Sequence, residues 1–217
     1  MNNLAVVIVA CDKNAYLWDM WWHHFSKNWN IECNIYFVNE VIDISYPVNQ
    51  IKVGHTPIKK WTRQLRSAVE TIPEDHLFIM MDDHIINYDI SKWFYSLYVA
   101  FLEFNADALR IRTLHTGSDI VNLTYYVHGK KLKKLMPRSD YLVSFSPNIW
   151  SKDYLLRCIR KNQSPWRCET SKRMRNKGQL VLDYEIPRWY TNAIVKGEVT
   201  EEGQLKIDHY ENAMDGH

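Results

Sequence analysis

Two carboxylates and an imidazole, Asp82, Asp83 and His84, stand in a row directly after the apolar run Leu77-Phe78-Ile79-Met80-Met81. Adjacent carboxylates repel each other, and a divalent cation would relieve that repulsion. Oxygen ligands suit Mg2+ or Mn2+, the ions that bridge protein carboxylates and substrate diphosphates, and His84 tilts the choice toward Mn2+. The plainer alternative is an aspartate that caps the following segment beside a solvent-facing histidine. A further acid, Glu169, follows Trp166 by three residues in Ser164-Pro165-Trp166-Arg167-Cys168-Glu169. A carboxylate there can act as a general base and the indole can stack on a ring. Equally, an acid in the first turn of a helix is ordinary.

The elements that must position these groups are legible in outline. Leu4 to Ala10 is a continuous β-branched run, as in a strand covered on both faces, and it stops at Cys11-Asp12-Lys13-Asn14. Helical spacing follows from Ala15 to Trp29 with Asn14 as its cap, then a strand over Asn34 to Val38 that ends at Asn39-Glu40. An amphipathic helix is predicted over Lys59 to Ile72, a strand over Leu77 to Met81 and a helix over Ser91 to Phe104. Leu109 to Leu114 alternates apolar and polar residues like a half-buried strand, and Tyr125 to Leu135 reads as an exposed hairpin. Tyr141 to Ser146 is predicted as a strand, Ser151 to Lys161 as a helix broken at Pro165-Trp166, and Glu169 to Lys177 as a second basic helix. Alternating strands and helices argue for an α/β fold, a mostly parallel central sheet flanked by helices, with ligands beyond the carboxyl ends of the strands. On that rule Asp12, Glu40 and Asp82 to His84 share one rim.

Composition narrows the class. With 217 residues, 46% hydrophobic and 24% charged, the chain has the balance of a folded protein with one sizeable core. Its longest apolar runs fall far short of the ~20 residues of a bilayer helix. Nothing at the N-terminus has the build of a signal peptide. The four cysteines form no CxxC pair and read as reduced thiols, so a cytoplasmic location is expected. A formal net charge of +2 does not by itself argue for nucleic acid. Nine Trp and 13 Tyr make the chain heavily aromatic; Trp21, Trp61, Trp93 and Phe101 fall on apolar helical faces and read as core, while Trp150, Trp166 and Trp189 lie in the half that contains Glu169.

Three segments together resemble a small bacterial or phage glycosyltransferase of the GT-A fold, a single Rossmann-like domain. They are Ala10-Cys11-Asp12 at the end of the first strand, Trp61-Thr62-Arg63-Gln64-Leu65, and Met81-Asp82-Asp83-His84. The resemblance implies a donor half over about residues 1–90 that takes a nucleotide-sugar, a UDP- or GDP-sugar, and an acceptor half over about 91–217. Ala10, Asp12, Glu40, Arg63 and Asp82 would face the donor, with Asp12 on the base and Arg63 near the phosphates. The strand-end triplet would be the DXD-type motif that holds Mn2+ or Mg2+, read either as Asp82 and His84 or as Asp83 alone, with late His209 as a further metal ligand. Phe145-Ser146-Pro147, Trp150 and Ser164 to Glu169 resemble the acceptor region, which implies Glu169 as the catalytic base of an inverting transfer and Trp166 and Trp150 as acceptor contacts. Tyr190 to Val199 resembles the closing segment of the group.

The acceptor implied is a saccharide or another hydroxyl. Basic clusters at Lys130 to Lys134 and Arg157 to Lys177 would suit a lipid-linked glycan at the inner face of a membrane, or a nucleic acid. Two other classes compete: a metal-dependent phosphoesterase, which needs more carboxylate and His ligands than the sequence offers at strand ends, and a non-catalytic carbohydrate- or nucleic-acid-binding module.

Overall fold

The computed structural model describes residues 3–113, 120–136, 139, 142–159, 162–170 and 180–215. The first half alternates strand and helix as expected: β1 (Leu4–Val9), α1 (Trp18–Asn28), β2 (Asn34–Asn39), β3 (Asn49–Lys52), α2 (Trp61–Thr71), β4 (His76–Met81), a short β5 (His84–Ile86) and α3 (Ser91–Glu103). A 3-10 segment, Asp12–Leu17, precedes α1. Asn14 lies inside it and turns its side chain to Asp82, so it does not cap the helix.

The second half holds β6 (Ala108–Arg112), β7 (Ile120–Val127), β8 (Lys130–Leu135), β9 (Asn148–Ser151), α4 (Lys152–Cys158), α5 (Pro165–Glu169), β10 (Val181–Glu185), β11 (Tyr190–Asn192), a small hairpin of β12 (Ile194–Val195) and β13 (Glu198–Val199), and α6 (Glu201–Asp215). The hairpin at β7 and β8 is as predicted, with positive φ at His128 and Gly129 in its tight turn. Three expectations are corrected. Pro165 does not break a helix but begins α5, whose first turn is capped by Ser164 Oγ accepting from the Arg167 N–H. Glu169 therefore closes α5 and does not open a basic helix, and residues 171–179 lie outside the described residues. The strand expected before Pro147 forms after it, because the 142–146 segment turns on itself through Ser146 N–H to Ser144 Oγ and Asn148 Nδ2 to the Ser144 carbonyl.

Nine strands make one sheet in the order β3-β2-β1-β4-β9-β6-β10-β8-β7, and only β9 and β8 run against the rest. Strand alternation splits the core into two layers. Leu4, Val6 and Ile8 of β1 face α1 and α3 beside Trp21, Phe25, Phe94 and Phe101, while Ala5, Val7 and Val9 face α2, α4 and α5 beside Leu65, Val69 and Tyr154. Trp21 and Phe101 are buried as expected, and Trp61 and Trp93 are half-buried against the two layers. Among the described residues no helix is long and apolar enough to cross a membrane.

The chain's last helix is fastened at one close approach. Thr200 Oγ1 accepts from the Gly203 N–H and the Thr200 N–H donates to the Ala193 carbonyl, which brings α6 so near that a Cβ on Gly203 would sit 2.5 Å from Ala193 O. Helix propensity alone would make Gly203→Ala stabilising by roughly 1 kcal/mol, but the backbone clash reverses the sign to a loss of about 1–3 kcal/mol. Urea unfolding of the variant measures that sign directly.

Candidate functional site at the carboxyl rim of the sheet

The ends of β1, β2, β4, β6 and β10 meet the start of β9 on one rim, because β9 alone is reversed in that part of the sheet. The acid pair sits in the middle of this rim, and its two members have opposite fates. Asp82 is buried at 3% exposure; its Oδ2 accepts from the Cys11 N–H at 3.0 Å and Trp18 Nε1 at 2.9 Å, and its Oδ1 from Asn14 Nδ2 at 3.3 Å. Burial pushes its pKa up to about 7 against those hydrogen bonds. Asp82 is thus a brace between β4 and the chain after β1.

Asp83 is the member that faces the rim. Its backbone carbonyl accepts from the Ala193 N–H at 2.7 Å, and burial raises its carboxyl to about 6. His84 is buried; its Nδ1 accepts from the Met81 N–H at 3.1 Å, its carbonyl accepts from Trp21 Nε1 at 3.1 Å, and its Nε2 lies 3.8 Å from Asp83 Oδ1. Burial depresses its pKa to about 3, so the ring is neutral with its proton on Nε2. Ligation through Nε2 would require moving that proton to a nitrogen that already accepts a backbone N–H. The chemistry of the donor set therefore selects Asp83 as the one carboxylate of the triplet suited to a cation. One carboxylate completed by phosphate oxygens and water is an ordinary Mg2+ or Mn2+ arrangement. Among the described residues no three His, Cys, Asp or Glu side chains converge on a common metal position. His209 lies on the exposed side of α6, near His24 of α1, and is not brought to the triplet.

At the β1 and β2 ends, Asp12 is fully engaged by the chain. Its Oδ1 accepts from Asn39 Nδ2 and the Glu40 N–H, both at 3.1 Å, and its Oδ2 from the Val41 and Ile42 N–H groups at 2.9 and 3.0 Å. Burial works upward on this carboxyl, yet the four hydrogen bonds win and hold it below the usual carboxylate range. The expected direct contact of Asp12 with a base thus meets a carboxylate whose acceptor positions are taken. Glu40 Oε2 accepts from the Asp12 N–H at 3.3 Å, and the Ala10 N–H donates to the Val38 carbonyl at 2.8 Å. Arg63 is exposed in the first turn of α2, next to Gln64, whose Nε2 donates to the Gly54 carbonyl.

From α5, Glu169 reaches the rim by accepting the Phe145 N–H on its Oε1 at 2.7 Å, and the Ser144 hydroxyl also bonds to it. Burial raises its pKa against these bonds and the nearby Arg110. Trp166, one turn earlier on α5, is 64% exposed and leaves a ring face free. Trp150 and Trp189 are fully buried, so the expected acceptor contact by Trp150 is corrected: its ring packs on Phe145 and Tyr154 in the core. Tyr190 packs on His84 at 5.0 Å between ring centroids, and its hydroxyl reaches Ser146 and Thr113. The same rim thus carries Asp83, Tyr190 and Glu169 around the 144–146 segment.

A buried charge cluster beneath that segment escaped the sequence reading. Both arginines of β6, expected on a wet face, are buried, at 3% for Arg110 and 7% for Arg112. Arg110 Nε donates to Asp183 Oδ1 at 3.2 Å and its Nη2 forms an ion pair with the same oxygen at 3.1 Å, while Arg112 Nε donates to Oδ1 at 2.6 Å and its Nη2 to Oδ2. The signal that could have found it is Asp183, an acid set between apolar neighbours in Val181-Leu182-Asp183-Tyr184.

No family model and no curated protein matches this sequence. Solved structures do match its fold, and that fold is GT-A-like. CMP:2-keto-3-deoxy-manno-octonic acid synthetase complexed with CTP superposes with a TM-score of 0.60 at 12% identity, covering 98% of this chain and 99% of that one. Apo UDP-glucose pyrophosphorylase gives 0.59 at 8% identity over 98% and 100%. S. aureus TarS 1-349 in complex with UDP-GlcNAc gives 0.55 at 12% identity, covering 91% of this chain and 60% of that one.

The contrast between the paired aspartates is testable on the folded protein. Asp82→Ala leaves the Cys11 N–H and the Trp18 indole N–H unpaired, at about 1–3 kcal/mol each. Asp83→Ala breaks no comparable bond and changes stability by less than about 0.5 kcal/mol. Chemical denaturation of the two variants at pH 8 separates a brace from a ligand-facing acid.

Proposed function

We propose that this protein transfers a sugar from a nucleoside-diphosphate sugar to an acceptor hydroxyl, with inversion at the anomeric carbon. The observation that carries this reading is the pairing of two carboxylates on one rim: Asp83 at the end of β4 and Glu169 against the Phe145 N–H. The GT-A-like fold supports it, being shared with proteins crystallised with UDP-GlcNAc and with CTP.

In this reading Ala10, Asp12 and Glu40 frame the nucleotide end and Arg63 lies toward the phosphates. Asp83 holds a Mn2+ or Mg2+ ion, which when bound would neutralise the departing diphosphate. Glu169 accepts the acceptor hydroxyl's proton as that oxygen attacks the anomeric carbon; the bond from that carbon to the diphosphate oxygen breaks, and its electron pair leaves with the nucleoside diphosphate. Trp166 offers its exposed face to the acceptor ring.

Nucleotidyl transfer is the second reading, since the fold is also shared with a pyrophosphorylase and a CMP-sugar synthetase. It requires a cradle for a triphosphate, which backbone N–H groups at a loop-to-helix junction ordinarily provide. In the loop after β1 three of those donors are spent. The Cys11 N–H goes to Asp82, the Asp12 N–H to Glu40 and the Asn14 N–H to the Cys11 carbonyl. Three carboxylates, Asp12, Glu40 and Asp82, back the same loop, which favours the less charged diphosphate donor carried on a cation.

Glu169→Gln tests the assignment. Transfer is expected to fall by about 10²- to 10⁴-fold while donor affinity, measured by calorimetry, stays within about twofold. Unchanged turnover would remove Glu169 from the mechanism.

A further inference from the structure

The tail of the chain takes hold of the acid pair at a single peptide unit. β11 lies antiparallel on β5 with Asn192 opposite His84, and the next N–H, that of Ala193, donates to the Asp83 carbonyl at 2.7 Å. The other end of the same peptide, the Asn192 carbonyl, is held from the head of α6. The β12–β13 hairpin closes through Lys196 and Gly197, both at positive φ as a two-residue turn between antiparallel strands requires, and so returns the chain to where the hairpin began. There Thr200 Oγ1 donates to the Asn192 carbonyl at 2.9 Å and accepts the Gly203 N–H at 2.9 Å, as the cap of a helix does. Hydrogen bonds therefore run in one unbroken line: Gly203 N–H to the Thr200 hydroxyl, that hydroxyl to the Asn192 carbonyl, and the Ala193 N–H to the Asp83 carbonyl. A peptide is planar and stiff, so fixing its oxygen fixes the direction of its N–H, and bonds in line polarise and strengthen one another. The line has no slack, since the Thr200 N–H also donates to the Ala193 carbonyl at 2.9 Å and a Cβ on Gly203 would lie 2.5 Å from that oxygen and 2.8 Å from Ala193 Cα.

We propose that Thr200 is a positioning residue for Asp83: seated on Gly203, it orients the Asn192–Ala193 peptide, and that peptide sets the backbone from which the acid projects. Its consequence for ligand binding rests on the reading of Asp83 as the acid that faces the cation; its grip on the Asp83 carbonyl does not. Gly203 is the residue that lets α6 come close enough for the hydroxyl to reach.

Three variants of the full chain test it. Thr200→Val keeps the shape and removes the hydroxyl, Thr200→Ser restores the hydroxyl, and Gly203→Ala drives a wedge into the same contact, so that one perturbation can be read even where the other fails to fold. The first readout is the NMR coupling across the hydrogen bond between the Ala193 amide nitrogen and the Asp83 carbonyl carbon, which reports the bond in the folded molecule whatever its stability. The coupling is expected to fall by about half or more in Thr200→Val and Gly203→Ala and to match wild type in Thr200→Ser. An unchanged coupling in folded Thr200→Val, or an equal fall in Thr200→Ser, overturns the proposal. The second readout is calorimetric binding of UDP and GDP with and without Mn2+. The Mn2+-dependent part of the affinity is expected to drop about tenfold in Thr200→Val and to return in Thr200→Ser, with metal-free binding unchanged. Should Asp83→Ala abolish that part while Thr200→Val keeps it, the positioning role is overturned. Should Asp83→Ala itself keep it, the reading of Asp83 falls instead, and a reduced coupling in Thr200→Val still upholds the grip on its carbonyl.

Discussion

The buried carboxylate of Asp82 is the constraint from which the rest of the rim follows. A carboxyl at 3% exposure is tolerated only if its lone pairs are filled, and here the fillers come from the chain just past β1: a backbone N–H, an asparagine amide and an indole N–H. Those bonds fix where β1 ends relative to β4. They also fix which aspartate is spent on structure. Asp82 and Asp83 form the turn between β4 and β5, and with Asp82 turned inward Asp83 is left toward the rim. Its backbone is then secured from the far end of the chain by the Ala193 N–H, and His84 is locked from the first helix by Trp21. Segments about 70 residues before and 110 residues after the acid pair thus converge on three consecutive residues.

The second half of the chain solves a different problem with the same means. Reversing β9 carries the 144–146 turn to the ligand side of the sheet, where a bare backbone N–H at Phe145 can receive a carboxylate. Beneath it the apolar layer gives way to Asn148, Arg110 and Asp183 in one lateral row. Such a cluster is weak evidence for stability, since burying ions is costly even when they are paired. Its justification lies in orientation: forked guanidiniums on a buried carboxylate have little freedom to reorient.

Much of the first half of the chain was legible because its signals are local. β1, β2, β4, α2 and α3 announce themselves by continuous β-branched runs or helical spacing, and their observed bounds fall within a few residues of those expected. The rim placement of Asp12, Glu40 and Asp82 to Asp83 followed from strand order alone. The split roles of Asp82 and Asp83 were not legible, since they depend on which side of β4 the chain after β1 passes. The downstream half misled wherever a local rule was overridden by tertiary pairing. Leu109-Arg110-Ile111-Arg112 alternates like a half-wet strand, yet Asp183 from a strand some 70 residues later makes burial of both arginines tolerable. Trp150 looked like a ring for a ligand because of its neighbours in sequence, and it is core because β9 pairs on both edges. The hold of the Tyr190 to Val199 tail on the Asp83 carbonyl required the fold.

The central claim is that the rim takes a nucleoside diphosphate sugar at Asp83 rather than a triphosphate at the loop after β1. Calorimetric titration of the wild-type protein with UDP, GDP, UDP-sugars, GDP-sugars, UTP and CTP, each with and without Mn2+, tests it most directly. One diphosphate and its sugar are expected to bind in a Mn2+-dependent manner, and the corresponding triphosphate no more tightly. A triphosphate bound tenfold more tightly than its diphosphate, with pyrophosphate released on adding a sugar phosphate, would contradict it.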